Sequence, residues 1–495
     1  MKQHEIETEE LNELDSTAVA KELVREVEKW QLEAKFEDNE RYFYHVKEVS
    51  QIEDGDKSYV VGRKGSGKTA ISEYLARMSR HDVFSEKLSF KTFPFNELYS
   101  LANDGYTAPN QYITLWKYVI YSSICRSMAR NEKIDGEVKK ELEELFGIDR
   151  LTLKRRISKW VSKEFSFTLF GVGLKIAKVA PAALDSEDWT QRVDFLEDVI
   201  REYIDSSRYY VIFDELDEDY RNIIEAKQHD RYTALITSLF KAVQDVRATF
   251  SDEPAINLRP IVFLRDDIYE IIQDSDKNKW NDHKIELGWN RSEIQSLVAF
   301  RITRAIDATA KKPLSFPKAW ERLLGKEKMR MGSGKSKSIS SFDFIARSTY
   351  LRPRDFVKYL QACSKLAADG HGRISAGIIR KVDTAFSNYL KEELRDELFA
   401  VLPDINAIFD VISHLRKWNF SRAEFEMAYK EQFERGNLTT KDVGFVLQIL
   451  FLFSVIGNAR RHDYFLFRYQ NPEARFNFND RIIVHRGLFK SLQII

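Results

Sequence analysis

The stretch that decides the fold is Gly62-Arg63-Lys64-Gly65-Ser66-Gly67-Lys68-Thr69, which matches G-x-x-x-x-G-K-[ST] in full. It follows a short apolar run at residues 59–61 and precedes apolar residues at helical spacing. A strand, a glycine-rich turn and a helix start, in that order, form the context in which this motif binds phosphates. Glycines let the backbone approach the phosphates closely, and the helix N-terminus adds partial positive charge.

This motif predicts that the chain binds ATP with Mg²⁺. We expect Lys68 to neutralise the β- and γ-phosphates and the Thr69 hydroxyl to bind the metal. ATP is favoured over GTP because no N/T-K-x-D string, which reads guanine, accompanies the motif. The residues expected to hold the nucleotide are Gly62, Arg63, Lys64, Gly65, Ser66, Gly67, Lys68, Thr69 and Ala70.

A second carboxylate-bearing strand is predicted at residues 209–213, a continuous apolar run that ends in Asp214-Glu215. We expect Asp214 to hold Mg²⁺, through water, and Glu215 to orient and polarise the attacking water. An Asp-Glu pair after an apolar run is a weak signal alone and a strong one beside the upstream motif. Asp217, Glu218 and Asp219 extend the acidic patch and are interpreted as a solvated loop rather than as metal ligands.

Two arginines are candidates for contacts with the γ-phosphate. Arg265 follows the apolar run 261–264, and an ion pair with Asp266 or Asp267 is the alternative role for it. Arg354 lies at the start of a predicted helix and could reach the nucleotide from a helical lid, and it is preferred to Arg352. The alternative there is an ordinary surface charge at a helix start. Arg301 and Arg304 are weaker candidates for a contact across a subunit interface.

The alternation of strands and helices predicts an α/β fold, with a parallel P-loop sheet whose crossovers are right-handed. We expect an acidic, solvated helical leader at residues 1–48 and the ATPase core at 49–310. A helical insertion at about 100–195, with a hairpin at 165–174, fills the long interval from Lys68 to Asp214. A helical lid follows at 311–395, in which residues 325–341 are predicted to be a flexible loop.

The last hundred residues, 396–495, are predicted to form a winged-helix-like domain. Helices are expected near 405–415, 422–432 and 441–453, followed by strands near 464–469 and 481–485. The wing is basic, which favours contact with DNA phosphates. The third helix is mostly apolar and offers few groups that could read bases, which favours a protein contact instead. The candidate phosphate contacts are Arg460, Arg461, Arg468 and Arg475.

Composition sets wider limits on the class of protein. The 495 residues carry 77 Lys+Arg and 77 Asp+Glu, so the formal net charge is +0. That neutrality is a cancellation between an acidic leader and basic stretches in the lid and wing. The two cysteines argue against a disulfide framework or a cysteine-rich zinc site. We see no signal peptide and no apolar run that would span a bilayer, so we expect a soluble, cytoplasmic protein without membrane contacts.

With these motifs in place, the chain resembles the AAA+/STAND-type P-loop ATPases. The Phe213-Asp214-Glu215-Leu216-Asp217 string is similar to the carboxylate strand of origin-recognition initiator ATPases. The Phe263-Leu264-Arg265-Asp266 string is closer to the STAND branch. More narrowly, the chain resembles bacterial stand-alone ATPases of about this length, some of them carried in phage-defence loci. The resemblance covers roughly residues 50–395, and no convincing arginine finger accompanies it.

Two functions from different classes follow. The resemblance implies a switch in which ATP binding and hydrolysis regulate a partner protein or an assembly, including self-association, in antiviral defence. The alternative is a DNA-binding initiator or loader ATPase that uses its C-terminal winged helix. A third and simpler interpretation is a nucleotide-binding protein whose hydrolysis is too slow to matter.

Overall fold

The arrangement of the chain is taken from a computed structural model. It describes residues 19–78, 80–91, 95–99, 110–147, 151–162, 189–217, 226–326, 328–331, 337–369, 373–440, 442–461 and 464–494. The chain divides into two compact units. One unit comprises His45–Lys64 and Lys68–Leu287, and the other comprises Met1–Tyr44, Gly65–Gly67 and Gly288–Ile495.

The unit of residues 45–287 is built on a five-stranded sheet in the order β2-β3-β4-β1-β5. All neighbouring strands in it are parallel, which confirms the predicted α/β fold with a parallel sheet. The strands are β1 (Tyr59–Gly62), β2 (Val83–Ser89), β3 (Arg208–Asp214), β4 (Asn257–Arg265) and β5 (Lys284–Glu286).

Helices connect these strands and cover the sheet. The described helices of this unit are α3 (Lys47–Glu53), α4 (Lys68–Arg77), α5 (Phe95–Tyr99), α6 (Ile113–Met128), α7 (Gly136–Phe146), α8 (Leu153–Trp160), α9 (Trp189–Tyr203), α10 (Ala226–Thr249), α11 (Asp266–Ile271) and α12 (Lys277–Trp280). Helices α6 to α9 occupy the interval between Lys68 and Asp214, where a helical insertion was expected. The predicted hairpin at 165–174 and the residues Glu218 and Asp219 lie outside the described residues.

Strand β2 was not predicted from the sequence. The strand occupies Val83–Ser89 and pairs with β3 along its full length. Two adjacent charged residues, Glu86 and Lys87, interrupt its apolar pattern, so hydrophobicity alone did not indicate a strand. Glu86 is buried against Arg130 and Arg156, and Lys87 contacts the end of β3, so both charges are paired inside the fold.

The other unit begins with α1, a helix at residues 19–28, followed by α2 (Asn39–Tyr42). The leader was expected to be a solvated helix, and this expectation is wrong for the described part. Leu23, Val24 and Val27 are all buried and belong to the same apolar core as residues 294–305. Glu22 is exposed and Glu28 is partly exposed beside these buried positions, so the acidic composition did not reveal the apolar stripe.

The remaining helices of this unit surround that core. They are α13 (Arg291–Ile306), α14 (Phe316–Leu324), α15 (Ser341–Ala346), α16 (Pro353–Ala368) and α17 (Ala376–Leu398). Between α14 and α15 the predicted flexible loop instead contains an antiparallel pair, β6 (Lys328–Met331) and β7 (Lys337–Ser340). Met329 is fully buried, and Met331 and Ile339 pack against the core, which explains why these two segments pair as strands.

The C-terminal part of this unit contains three helices, α18 (Ile405–Leu415), α19 (Arg422–Glu434) and α20 (Val443–Leu452), close to the predicted positions. A four-stranded sheet in the order β10-β9-β11-β8 accompanies them. Its strands are β8 (Asn419–Phe420), β9 (Ile456–Arg461), β10 (Tyr464–Leu466) and β11 (Arg481–Val484), and their pairings are antiparallel. The sequence predicted β10 and β11 and missed β8 and β9.

Two general features complete the description. Among the residues described, no helix combines the length and the apolar character needed to cross a bilayer. Cys125 and Cys363 are both buried free thiols. Burial raises the pKa of each thiol well above its ordinary value, so neither has the character of a reactive cysteine.

Candidate functional site

The glycine-rich loop joins the end of β1 to the first turn of α4. Its backbone takes left-handed conformations at Gly65 (φ 81°) and Gly67 (φ 106°), which only glycine adopts without strain. Lys68 Nζ donates to the carbonyl oxygens of Gly62 (2.6 Å) and Arg63 (3.0 Å). The lysine therefore folds back along its own loop and holds the turn in shape.

This loop fits a phosphate chain. No atom lies within 4 Å of the position that a Cβ on Gly67 would take, and Ser66 Oγ is buried without a hydrogen-bond partner among the described residues. Burial lowers the pKa of Lys68, and Asp217, Asp266 and Asp214 offset only part of that effect. An anion that entered this loop would restore the missing counter-charge of the ammonium.

The tip of the loop, Gly65–Gly67, makes contacts within the unit that contains the C-terminal half of the chain. Trp289 Nε1 donates to the Ser66 carbonyl (2.7 Å), and the backbone N–H of Arg354 donates to the Gly65 carbonyl (3.4 Å). A Cβ on Gly65 would lie only 3.1 Å from Arg354 Cβ. Glycine is therefore required at residue 65 both by its φ and by this close approach.

Asp214 ends β3 and is almost completely buried. Ser72 Oγ, one turn after Thr69 on α4, donates to Asp214 Oδ2 at 2.6 Å. Lys87 Nζ, on β2, lies 2.9 Å from the same oxygen and 2.8 Å from Glu73 Oε1. Helix α4 and two neighbouring strands thus meet at one carboxylate, which sequence reasoning linked only to a metal.

Glu215 follows directly and has a φ of 60°, in the left-handed region that a residue with a Cβ rarely adopts. Such a conformation costs roughly 1–3 kcal/mol and persists where the surroundings enforce it, often at functional sites. The backbone N–H of Glu215 donates to Asp214 Oδ1 (2.9 Å), and Ser89 Oγ donates to Glu215 Oε2. These contacts set the direction in which the carboxylate points.

Arg265 ends β4, the strand that lies between β3 and β1. Its guanidinium donates twice to Asp267, at 2.9 Å and 2.7 Å, and lies 3.5 Å from Asp217 Oδ2. The ion pair that the sequence offered as the alternative role of Arg265 is therefore present, and its partner is Asp267 rather than Asp266. Arg265 also sits at the edge of the sheet where β1 and β3 end, because parallel strands bring their carboxyl ends to one side.

The two arginines at the start of α16 differ in their surroundings. Arg352 is buried and pairs with Asp355 (2.9 Å) and Glu397 (3.7 Å), so its charge is compensated by carboxylates inside the fold. Arg354 is partly exposed, and its nearest described carboxylate is Glu393 at 3.5 Å. Of the two, Arg354 is the less constrained and keeps more freedom to turn toward an anion.

Arg301, a weaker candidate for an interface contact, does not face outward. Its guanidinium pairs with Glu37 and lies over the rings of Trp30 (4.5 Å) and Tyr42 (4.7 Å). It is buried and stabilises the leader segment. The predicted contact of Arg301 across a subunit interface is therefore wrong in this conformation, because the side chain is buried.

The arginines predicted to contact DNA have unequal surroundings in the C-terminal part of the chain. Arg460 is exposed and lies 4.0 Å from Asp480, while Arg468 donates to the Ala474 carbonyl at 3.2 Å. Arg475 is exposed, and the Arg461 backbone lies within β9. Tyr464 and Phe465 of β10 are also exposed, so basic and aromatic side chains share this sheet.

Three polar residues near the loop were missed by sequence reasoning: Ser72, Lys87 and Ser89. Ser72 follows Thr69 by one helical turn, a spacing that could have placed it on the same face of α4. Lys87 and Ser89 gave no such signal, because their strand was not recognised. In the described part of the chain, no group of three or more His, Cys, Asp or Glu side chains could hold a metal.

Parts of the chain are similar in sequence to known proteins. Residues 292–395 match the family model of the FunZ-associated C-terminal helical domain. The chain is 22% identical over 335 residues to a putative transposon gamma-delta 80.3 kDa protein of Escherichia coli K12. That alignment covers 62% of this chain and 42% of the relative, so the chain spans less than half of that relative's length.

Two solved structures can be superposed on most of the chain. Drosophila ORC bound to DNA gives a TM-score of 0.26 at 10% identity, over 90% of this chain and 84% of the other. Cdc6p from Pyrobaculum aerophilum gives 0.29 at 11% identity, over 91% and 93%. Scores below 0.5 support no conclusion about this chain.

Proposed function

We propose that this chain binds ATP with Mg²⁺ and hydrolyses it, and that the nucleotide state regulates a partner protein or an assembly. The observation that carries this proposal is the meeting of two motifs at one edge of a parallel sheet. The glycine-rich loop follows β1, and Asp214 and Glu215 follow β3, with only β4 between them. Ligands of open α/β sheets bind at the carboxyl ends of the strands.

The roles of the residues follow from their chemistry. The loop N–H groups and Lys68 would bind the phosphates, and Thr69 with Asp214 would hold Mg²⁺. The metal would supply charge neutralisation at the β- and γ-phosphates. Glu215 would orient the attacking water and accept its proton, since its carboxylate is fixed by Ser89 and by a constrained backbone. Arg265 and Arg354 would contact the γ-phosphate.

The test is steady-state hydrolysis of ATP by the full chain, with GTP measured in parallel. We expect Lys68→Ala to abolish ATP binding, and Glu215→Gln to retain binding while turnover falls at least 100-fold. Unchanged turnover in the Glu215 variant would remove that residue from the mechanism. Equal turnover of GTP would contradict the assignment of ATP as the substrate.

A regulatory switch is favoured over a DNA loader by helix α20. Its buried face consists of Val446, Leu447, Leu450 and Phe451, and the helix carries no charged residue that could read a base. The resemblance to ATPases of phage-defence loci supports antiviral defence as the setting. Expression in a phage-sensitive bacterium, with Lys68→Ala as the control, tests this setting. If the unsubstituted chain and the Lys68→Ala variant protect equally, then protection does not require nucleotide binding.

The alternative is a DNA-binding ATPase that uses a winged helix formed by α18 to α20 and the C-terminal sheet. The exposed Arg460, Arg475, Tyr464 and Phe465 favour it, because cations and aromatic rings together suit nucleic acid. Binding of duplex DNA across a salt series distinguishes the two functions. A steep decrease with salt would support the loader, and no binding at low salt would leave the protein switch.

A further inference from the structure

A second cation-rich site lies in the C-terminal half of the chain, away from the residues of the glycine-rich loop. It is a cavity of about 380 Å³ within the unit that contains residues 288–495. This volume falls within the range of small-molecule sites, roughly 300–1,000 Å³. The lining residues are Arg330, Met331, Phe344, Arg347, Arg380, Asp383, Arg486 and Lys490.

The charges of this cavity are strongly unbalanced. Five of the lining side chains are cationic and only Asp383 is anionic. Asp383 is buried and accepts hydrogen bonds from Ser348 (3.0 Å) and Arg486 (3.3 Å), so it is already shared between two donors. The cations come from strand β6, the residue after α15, helix α17 and the segment after β11, and they line one cavity.

Arg347 shows how poorly this charge is compensated. Its guanidinium lies over the Phe344 ring (4.2 Å) and donates from Nη1 to the sulfur of Met331 (2.7 Å). Its Nε is buried and has no hydrogen-bond partner among the described residues. Burial and the neighbouring Arg486 lower the pKa of Arg347 to about 10. A buried donor without an acceptor costs stability, and a bound anion at this position would remove that cost.

Arg380 reinforces this arrangement from helix α17. It lies 5.8 Å from the centroid of the same ring, Phe344, and donates to the Arg330 carbonyl. Its neighbour in the cavity is therefore an apolar ring and a neutral carbonyl rather than a carboxylate. Arginine guanidinium groups match phosphate oxygens in planar, bidentate hydrogen bonds.

We propose that this cavity binds the phosphate groups of a small polyphosphate ligand, either a free oligophosphate or a nucleotide. Five cations that share one carboxylate around a small cavity suit a compact polyanion. A nucleic-acid duplex would instead require cations distributed along an exposed face. The proposal does not depend on ATP hydrolysis at the glycine-rich loop, because none of the residues is shared.

Calorimetric titration with inorganic pyrophosphate tests the proposal. The full chain carrying Lys68→Ala is used, so that the loop does not contribute binding. We expect one site, and we expect the further double substitution Arg347→Gln with Arg380→Gln to weaken it at least 100-fold. The matched control is Lys430→Gln with Arg435→Gln, two exposed cations of the same net charge, and it should leave binding unchanged.

A thermal unfolding measurement separates lost binding from lost folding. Without pyrophosphate, Arg347→Gln with Arg380→Gln should unfold at the same temperature as the parent chain or a higher one, because repulsion is relieved. The proposal is overturned if the Lys68→Ala chain binds no pyrophosphate, or if the control pair weakens binding equally. It is also overturned if Arg347-dependent binding occurs with duplex DNA and not with pyrophosphate. A free nucleotide that displaces pyrophosphate would identify the nucleotide as the source of the phosphates.

Discussion

Lys87 Nζ lies 2.9 Å from Asp214 Oδ2, so a lysine of the neighbouring strand compensates the carboxylate that ends β3. Burial alone would lower the pKa of Lys87, but Asp214 and Glu73 outweigh that effect and hold the pKa above its ordinary value. The lysine is therefore charged throughout the neutral range. It holds Asp214 Oδ2 in place, while the backbone N–H of Glu215 donates to Oδ1 at 2.9 Å.

Replacement of this lysine should destabilise the fold. Lys87→Met would leave a buried carboxylate without its cation, and we expect the free energy of unfolding to fall by about 3 kcal/mol. Urea denaturation measures it. Lys279→Met is the matched control, because Lys279 is exposed and pairs with Asp276 at 2.7 Å, and a surface pair is worth at most about 1 kcal/mol. Equal losses in the two variants would contradict a special role for Lys87.

Ser89 should affect turnover rather than substrate binding. Its hydroxyl donates to Glu215 Oε2, so Ser89→Ala frees the proposed base to adopt other directions. We expect kcat to fall about tenfold with KM unchanged, equivalent to roughly 1.4 kcal/mol of transition-state stabilisation. Steady-state ATP hydrolysis measures both constants.

Two further variants make the Ser89 prediction specific. Ser89→Thr keeps the hydroxyl and should restore most of the turnover. Ser85→Ala, on the same strand, removes a bond to the Leu75 carbonyl and should leave kcat unchanged. A rise in KM without a change in kcat for Ser89→Ala would show that the serine acts on substrate binding instead.

Glu37 should be essential for the stability of the unit that contains the leader. Glu37→Ala would leave the buried Arg301 without its carboxylate, and we expect a loss of about 3–5 kcal/mol in the free energy of unfolding. Glu33→Ala serves as the control, since Glu33 is exposed and lies 3.1 Å from Lys35. A loss below 1 kcal/mol for Glu37→Ala would indicate that Arg301 finds another partner.

The capping box of α19 gives a prediction for acid pH. Glu424 accepts hydrogen bonds from Lys417 (2.7 Å) and from the Ser421 N–H (2.7 Å), and these lower the pKa of Glu424 to about 2. A lowered pKa stabilises the fold above the unfolded value of about 4.5, and that contribution is lost as the pH falls toward 2.

Glu424→Gln should therefore lower the free energy of unfolding by about 1 kcal/mol at pH 7, the size of a typical cap at a partly exposed position. The difference from the parent chain should shrink as the pH falls from 4.5 toward 3. Glu426→Gln, on the same helix, is the control and should show a smaller effect at pH 7. A difference that stays constant down to pH 3 would contradict the lowered pKa.

Sequence reasoning succeeded where a segment carries its own physical signal. The glycine-rich loop has a fixed spacing and β3 is a continuous apolar run, so the strand and helix that flank the loop, and β3 itself, were predicted at their positions. Helices α18 to α20 were found from their apolar periodicity and their end signals. Each of these patterns lies within about fifteen residues.

Elsewhere the decisive partner is distant in sequence. Strand β2 was missed because Glu86 and Lys87 are compensated by Arg130, Arg156 and Asp214, none of which is adjacent. The leader was predicted to be solvated because its composition is acidic. Its buried residues Leu23, Val24 and Val27 instead belong to one core with residues some 270 positions later. No local pattern reports such pairings, and the same limit applies to the cation-rich cavity.

The pairing of Glu37 with Arg301 also constrains how the chain folds during synthesis. The two residues are 264 positions apart, and all of the unit of residues 45–287 lies between them. At about 5–20 residues per second, the ribosome needs roughly 13–50 seconds to complete that interval. The leader helix therefore leaves the ribosome long before its binding surface exists, with Leu23, Val24 and Val27 exposed. The intervening unit can fold first, because all of its residues lie between Glu37 and Arg301.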